Sequence, residues 1–371
     1  MKLFIDVHVI QTVPPSCLNR DDTGSPKTAM YGGVRRARVS SQSWKRAMRL
    51  KFNESLDAGE LSYRTLRVFN LVAKEICNIS SAHDDESAMA LAKKTLEKVK
   101  LKSNASKKES KGSEAKDKNS EDDKLPALFF ISSQQAKNLA AVALEDLTDK
   151  DDVKKITQAL KDNKGIDLAL FGRMVADNVN LNSDACAQVA HAISTHRVEN
   201  EYDYFTAVDD HSEKKDAGAG MIGTVEFNSA TLYRYANVAV HELYEQLSSD
   251  LSALERALQA FIRAFVLSVP TGKQNTFAAH TLPYVVMVAL RADRPLNLAD
   301  AFEDPVQAKG GFAKPSADAL KNQAIKAYSN FCAKPLSSYI VGEDLQELGT
   351  RLHIDELASQ AAKDAIERIM A

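Results

Sequence analysis

LFIDVHVI, at residues 3–10, alternates Leu, Ile, Val and Val with Phe, Asp, His and Ile. Successive side chains of a strand point to opposite faces, so this pattern predicts a β-strand. Apolar residues at both ends of the second face indicate burial on both sides. Pro14 and Pro15 are expected to end the strand, because proline cannot donate to a sheet ladder. A loop is expected from Ser16 to about Gly33.

Working outward from this strand, the chain alternates strand and helix patterns. Serines open a helix at about 40–52, where a serine hydroxyl can cap the free N–H groups. Strand patterns follow at 190–198 and 224–240, then an amphipathic helix at 251–267 and a strand at 284–290. The order strand, helix, strand, strand, helix, strand predicts an α+β fold with a split βαβ (ferredoxin-like) sheet.

Several segments interrupt or extend this core. Segment 102–124 has no large apolar residue and is expected to be a flexible loop, because it cannot offset its ordering entropy by burial. The predicted organisation is a core at 1–54, 166–198 and 224–298, a helical insertion at 55–165, a projecting β-hairpin at 199–223 and a helical C-terminal part at 299–371.

Composition limits the cellular setting. The four cysteines are widely spaced, without the C-x-x-C pairs of zinc or redox sites, so we expect free thiols. No stretch reaches the roughly 20 apolar residues that span a bilayer, and the N-terminus lacks the pattern of a signal peptide. The sequence therefore predicts a cytoplasmic protein without a membrane partner.

Positive charge is concentrated in one region. The whole chain has a formal net charge of −2, but residues 20–51 hold nine basic and two acidic residues. This region includes the N-terminus of the predicted helix, whose free N–H groups and dipole also favour anions. Such a surface suits a phosphodiester backbone. The alternative is a solvated helix face whose loop arginines are paired elsewhere.

Other motifs give no catalytic assignment. Gly272-Lys273-Gln274 lacks the first glycine and the Ser/Thr of a phosphate-binding loop. His191 and His196 lie five apart on a predicted strand, on opposite faces, and no third ligand occurs at a familiar spacing. We therefore expect no cofactor, no metal and no enzymatic activity.

Recognisable motifs run through most of the chain. They are PSCLNRDD (15–22), Lys27, GG (32–33), RRARVSSQS (35–43), KRAMR (45–49), GIDLAL (165–170), GRM (172–174), HAISTH (191–196), FTAVDD (205–210), YRYAN (233–237), GKQ (272–274) and ADAFE (299–303). In this order they resemble the CasC family, the repeated backbone subunits of the type I-E CRISPR Cascade complex. The helical insertion and the C-terminal part match only loosely.

The resemblance implies an RRM-like palm with a fingers-like helical insertion and a projecting thumb. It implies that copies of the protein polymerise along a CRISPR RNA together with other Cascade subunits. Thumbs displace bases at regular intervals, and the remaining bases pair with target DNA. Sequence reading is then delegated to base pairing.

The residues expected to bind RNA come from two arguments. The charge of the basic region adds Lys27, Arg35, Arg36 and Arg38 to the set, and Lys27 is also a candidate contact of target DNA. The resemblance implies a palm grip made of Arg20, Ser40, Gln42, Lys45, Arg46, Arg49, Lys273 and Gln274. Phe205 and Ile222 would be apolar wedges of the thumb, and Met174 would pack beside the guide bases. Without the resemblance, Phe205 is equally a hairpin core residue and Met174 a core gap-filler.

Asp21 and Asp22 support an alternative function. Backbone subunits of a related CRISPR class cut RNA with a loop aspartate, and paired acids can recruit Mg²⁺ for phosphodiester cleavage. The alternative is therefore a metal-dependent ribonuclease. The plainer interpretation is that both acids order the basic loop by pairing with Arg20 or Arg35.

Overall fold

The computed structural model of the protein describes residues 2–103, 123–145, 151–207 and 221–371. Most of the segment predicted to be flexible (102–124) lies outside the described residues, as do residues 208–220 of the predicted thumb.

The chain forms two compact units. The first comprises Met1–Lys51, Gln188–His241 and Leu258–Ala371, and the second comprises Phe52–Ala187 and Glu242–Ala257. Residues 166–187 therefore belong to the unit that contains the helical insertion, although the sequence analysis assigned them to the core at 166–198.

The strands and helices have the following bounds. The strands are β1 (Phe4–Ser16), β2 (Thr28–Tyr31), β3 (Val34–Val39), β4 (Ser62–Thr65), β5 (Phe129–Ser132), β6 (Ala187–Val189), β7 (Ala192–Ser194), β8 (Glu201–Ala207), β9 (Met221–Ala239), β10 (Val285–Arg291), β11 (Ser337–Val341) and β12 (Thr350–Arg351). The helices are α1 (Ser41–Phe52), α2 (Val68–Ile79), α3 (Asp85–Glu97), α4 (Ser133–Ala143), α5 (Asp152–Lys161), α6 (Ile166–Phe171), α7 (Val240–Gln246), α8 (Leu251–Leu267), α9 (Gln274–Phe277), α10 (Ala313–Asn330) and α11 (Ile354–Met370).

A large, mostly antiparallel sheet forms the centre of the first unit, in agreement with the predicted α+β fold. Its order is β12-β11-β10-β1-β9-β7-β3-β2, with β6 and β8 also paired to β9. Strand β1 lies between β9 and β10 and is antiparallel to both. Residues 5–11 of β1 are all buried, which confirms the prediction that this strand is covered on both faces.

The two faces of the sheet carry different side chains. On one face His8 lies opposite Tyr235 and Ile10 opposite Tyr233, and this face packs in one apolar cluster with Leu320 of α10. On the other face Arg234, opposite Val9, contacts α1 and α8.

The expectation that Pro14 and Pro15 end the first strand is wrong. Strand β1 continues to Ser16, and its register against β9 is irregular between Val13 and Ser16. At such an irregularity the backbone leaves the regular ladder, so a missing N–H donor is tolerated.

The expected loop from Ser16 to Gly33 contains a strand that the sequence interpretation missed. Strands β2 and β3 form an antiparallel hairpin in which Tyr31 pairs with Val34. Gly32 and Gly33 form the two-residue turn, with φ values of +56° and +76°. Positive φ at both central residues is the requirement of the tight hairpin turn, and Gly-Gly is its sequence signal.

Two segments expected to be helical also contain strands. In the insertion, β4 and β5 form a separate two-stranded antiparallel sheet. In the C-terminal part, β11 pairs with β10 and β12 extends the sheet by a parallel pairing. These strands are short, and short strands give little periodicity to detect.

Helix cores hold the second unit together. Phe69, Val72 and Ile76 of α2 pack in one buried cluster with Leu139 of α4 and Leu160 of α5. Across the described residues, no helix combines the length and the hydropathy needed to cross a membrane.

The turn at Gly32 supplies a test of the hairpin. An alanine at Gly33 meets open space and only incurs the cost of positive φ, about 1–2 kcal/mol. An alanine at Gly32 would also collide with the main-chain carbonyl of Glu303, which adds about 1–3 kcal/mol of overpacking strain. We expect Gly32→Ala to lower the free energy of unfolding clearly more than Gly33→Ala, as measured by denaturant titration. Equal losses would contradict this account of the turn.

Candidate nucleic-acid interface

The basic loop between β1 and β2 is held by its own polar groups. The Oδ1 of Asp21 accepts hydrogen bonds from the Thr23 hydroxyl at 2.7 Å and from the backbone N–H groups of Thr23 and Ser25, each at 3.0 Å. The hydrogen bond from Thr23 lowers the pKa of Asp21. The Oδ1 of Asn19 accepts from the N–H of Ser40 at 2.9 Å. The loop is therefore tied both to itself and to the start of α1.

Helix α1 begins as the sequence predicted. The hydroxyl of Ser40 accepts a hydrogen bond from the N–H of Ser43 at 3.3 Å, which is the N-cap contact. Trp44, Ala47 and Met48 are buried, whereas Leu50 is exposed.

A cavity of about 550 Å³ lies between this loop and α1. The loop lines it from Leu18 to Gly24, and α1 lines it with Ser43, Arg46, Ala47 and Leu50. Thr271 and Gly272 complete the wall. Segments far apart in sequence thus meet around one concave surface, which carries Arg20 and Arg46.

Gly272 explains why the third segment comes so close. A Cβ at this position would collide with the carbonyl group of Leu18, so only glycine permits the approach. Lys273 follows in the left-handed region, at φ +50°. Burial raises the pKa of the Cys17 thiol, and the charges of Arg20 and Lys273 oppose this shift. Both cations therefore act on the same point of the loop.

The predicted RNA-binding residues differ in accessibility. Exposed are Arg20, Arg35, Gln42, Arg46, Met174 and Ile222; half-buried are Lys27, Arg38, Lys45, Arg49, Phe205, Lys273 and Gln274; buried are Arg36 and Ser40. Burial lowers the pKa of Lys45. The amide of Gln274 donates to the carbonyl of Pro270 at 3.0 Å.

Arg36 is a correction to the predicted set. Its guanidinium donates to the carbonyls of Tyr31 at 3.1 Å, Ser194 at 3.1 Å, Phe302 at 2.8 Å and Glu303 at 3.2 Å. With all three nitrogens engaged and the side chain buried, Arg36 holds the hairpin to the sheet and presents no donor to a phosphate. The hydroxyl of Ser40 is likewise buried in its capping contact.

Arg38 contacts His191, a residue that the sequence analysis excluded as a metal ligand. An N–H of Arg38 lies 3.1 Å from Nδ1 of His191. Burial lowers the pKa of His191, and the charges of Arg38 and Lys27 lower it further. A neutral His191 then accepts from Arg38 and orients it. The motif at 191–196 drew attention to His191, but the spacing of residues along one strand does not reveal a contact with Arg38.

His196 is a core residue. Its Nδ1 donates to the carbonyl of Arg197 at 2.7 Å, and its Nε2 accepts from the N–H of Thr231 at 3.1 Å. Its ring stacks on Phe312 with centroids 3.8 Å apart. The described residues contain no group of three His, Cys, Asp or Glu side chains placed to hold a metal ion.

The predicted thumb begins as an antiparallel hairpin of β8 and β9. Phe205 pairs with Gly223, and Ile222 pairs with Thr206. Directly paired residues share a face and neighbours alternate, so the two predicted wedges point to opposite faces. Ile222 shares its face with Tyr202 and with Tyr204, both well exposed. The sequence interpretation did not single out these tyrosines, although their alternate spacing places them on one face.

Met174 lies in the second unit and is 85% exposed. The neighbouring Arg173 is buried and donates to the carbonyls of Phe130, Leu160 and Leu181, each at 2.9 Å. The buried arginine fixes the turn, and the methionine is presented outward rather than used as a core gap-filler.

A second concave surface of about 800 Å³ adjoins the hairpin β2–β3. Arg35 and Met30 contribute from that hairpin, and Arg197 and Tyr202 contribute from the base of β8. Arg197 is paired with Glu199 at 2.7 Å. Arg35 therefore lies near the predicted thumb, whereas the neighbouring Arg36 donates to main-chain carbonyls.

The chain is similar to known proteins along almost its whole length. The profile of the CT1975-like protein family matches residues 5–368. A chain from a solved "CRISPR RNA-guided surveillance complex, pre-nicking" is 36% identical, with a TM-score of 0.79, covering 96% of this chain and 100% of that chain. A chain from another "CRISPR RNA-guided surveillance complex" is 29% identical, with a TM-score of 0.72, covering 97% and 99%. A comparison with curated proteins found no match.

The neighbouring arginines Arg35 and Arg36 provide a matched pair of substitutions. Arg36→Met leaves four main-chain carbonyls without their donor, and we expect a loss of about 3–5 kcal/mol in the free energy of unfolding. Arg35→Met alters an exposed side chain and should change it by less than about 0.5 kcal/mol. Denaturant unfolding of both variants without RNA measures the difference. An Arg36 variant as stable as the Arg35 variant would contradict the structural role.

Proposed function

The chain belongs to the CT1975-like protein family, and on that premise we propose that it is a non-catalytic RNA-binding backbone subunit of a CRISPR RNA-guided complex, of the CasC type found in type I-E Cascade. The observation that carries this proposal is the cavity in which Arg20, Arg46 and the Gly272 loop meet. Its walls come from a basic loop, from side chains of helix α1 and from a glycine turn, and arginine donors of this kind suit phosphates.

The palm of the proposed subunit is RRM-like. Strands β10, β1, β9 and β7 are adjacent in this order, with α1 after β1 and α8 after β9, as in a split βαβ unit. In an RRM the open sheet face stacks bases. Here the face that bears Tyr233 and Tyr235 packs against α10, so we place the RNA beside the sheet, along the basic loop and α1.

Sequence-independent binding follows from these groups. Arginine and lysine neutralise phosphates and release counterions whatever the base sequence. A backbone subunit must bind guides of every sequence. Because its contacts are to phosphates, the guide bases remain available to pair with target DNA. We propose that Lys27 and Arg38 of the first unit border the guide. For the second unit we propose separately that the exposed Met174 packs beside guide bases.

The hairpin β8–β9 is proposed as the thumb through which copies of the chain follow one another along the RNA, with other subunits of the complex beside them. Phe205 and Ile222 lie on opposite faces. A hairpin inserted at a displaced nucleotide would therefore use both faces, one for the base on each side. Stacking on such side chains contributes about 1–3 kcal/mol per base.

The charged cavity can be tested by removing two of its exposed cations. We expect Arg20→Ala with Arg46→Ala to weaken binding of unrelated RNA sequences alike, by up to about 30-fold. The slope of log affinity against log salt should fall by about 1.4, or 0.7 for each lost phosphate contact. Titration of labelled RNA at several salt concentrations measures both quantities.

The matched control is Lys326→Ala with Lys363→Ala. These exposed lysines lie on α10 and α11, away from the cavity lining. The control removes the same charge and should keep the affinity and the slope of the unmodified protein. A cavity variant that behaves like this control would refute the assignment.

The ribonuclease alternative gains no support from the acidic loop. Oδ1 of Asp21 accepts three hydrogen bonds from Thr23 and Ser25 of the loop itself, and these donors, rather than the arginine partners that the sequence suggested, support a structural role for Asp21. We predict that protein co-expressed with its complex carries CRISPR-derived RNA of uniform length. Added Mg²⁺ should leave this RNA intact, as judged by extraction, sequencing and gel analysis. Mg²⁺-dependent shortening that Asp22→Asn abolishes would establish the alternative.

A further inference from the structure

One motif of the sequence plays no part in the proposed contacts. YRYAN, at residues 233–237, lies in the middle of β9. Its arginine, Arg234, is 1% exposed. The guanidinium lies 3.7 Å from the ring centre of Trp44 and 4.8 Å from that of Phe265. Arg234 is thus held between two aromatic rings inside the first unit.

The hydrogen bonds of Arg234 go to neutral acceptors. It donates to the side-chain oxygen of Gln11 and to the carbonyls of Phe265 and Val266. Among the described residues, Nε has no hydrogen-bond partner, and no carboxylate accepts from this arginine. Burial lowers its pKa to about 9.

A buried cation without an acid partner is costly for the fold. Desolvation of a guanidinium is unfavourable, and apolar residues of similar volume often replace buried charges without loss of stability. Stability alone therefore gives little reason for an arginine here. An arginine differs from an apolar residue because its planar guanidinium donates to several specific acceptors while it stacks on an aromatic ring.

The groups that Arg234 joins belong to the two sides of the RNA cavity. Trp44 lies in α1 between Ser43 and Arg46, which line the cavity. Phe265 and Val266 lie in the last turn of α8, and the chain then continues to Thr271 and Gly272 on the opposite wall. Arg234 contacts both elements from beneath.

We propose that Arg234 is a positioning residue of the RNA-binding surface, which fixes the spacing between α1 and the Gly272 segment through Trp44 and the carbonyl end of α8. This inference rests on the proposed function. Arg234 itself contacts no RNA. It keeps α1 and the Gly272 segment, which both line the cavity, at a fixed separation.

The substitution Arg234→Lys tests the proposal, because lysine keeps the charge and loses the planar fork. Arg291→Lys is the matched control. Arg291 is also 1% exposed in the same unit. It donates to the carbonyls of Arg294 and Ala333 and to Asp293, and its Nε lies 3.9 Å from Oδ2 of Asp6; none of these residues lines the cavity.

Two readouts separate positioning from general destabilisation. Trp44 is the single tryptophan of the chain, so its fluorescence reports the stacked guanidinium. We expect Arg234→Lys to change this emission and to weaken RNA binding by about tenfold, with a salt slope reduced by about 0.7. Arg291→Lys should keep the emission, the affinity and the slope. Wild-type affinity in Arg234→Lys, or equal losses in both variants, would overturn the proposal.

Further measurements cover the remaining outcomes. If Arg234→Lys does not fold, Trp44→Leu must reproduce the lost affinity, because it removes the ring that links the arginine to α1. If the unmodified protein binds no RNA, the proposed function fails. Hydrogen exchange of the protein alone then decides the inference. Arg234→Lys must increase exchange both in α1 near Trp44 and at 271–273, whereas Arg291→Lys must not, and unchanged exchange at either segment refutes it.

Discussion

The antiparallel ladder between β1 and β9 is the interaction on which the rest of the first unit depends. It runs from Phe4 opposite Ala239 to Val13 opposite Ala230, and β10 pairs along the other side of β1. Because both faces of β1 are covered, a shift of one residue would exchange its entire set of side chains between the faces. The ladder therefore fixes where α1 starts and where the basic loop leaves the sheet.

Hydrogen bonds of buried polar groups connect this sheet to the surface hairpin. Asp6 accepts from the Tyr235 hydroxyl at 2.8 Å and from the N–H of Leu296 at 2.9 Å, and burial raises its pKa to about 7. The segment that begins at Leu296 leads to Phe302, whose carbonyl accepts from Arg36. A chain of contacts thus runs from the central strand to the hairpin that carries Arg35. Satisfied polar networks of this kind specify one arrangement of a core.

The sequence predicted those elements whose periodicity is long and whose ends carry caps. Helix α8 was expected at 251–267 and occupies those residues, and the Ser40 cap of α1 formed. Local charge located the basic region, but it did not separate exposed Arg35 from buried Arg36. That difference depends on carbonyls contributed from distant segments of the chain, which no local pattern encodes. The proximity of Gly272 to Leu18 is equally non-local.

The discontinuity of the first unit has a consequence for its synthesis on the ribosome. Strand β1 leaves the ribosome well before its partners β9 and β10, which lie more than 200 residues later, as in the pairing of Val9 with Arg234. At about 5–20 residues per second, β1 waits for roughly 10–40 s without either neighbour. Non-local pairings of this kind also form slowly once the partners exist. During this interval an apolar strand with two open edges is accessible to other nascent chains, so the newborn protein depends on protection of Phe4–Ser16.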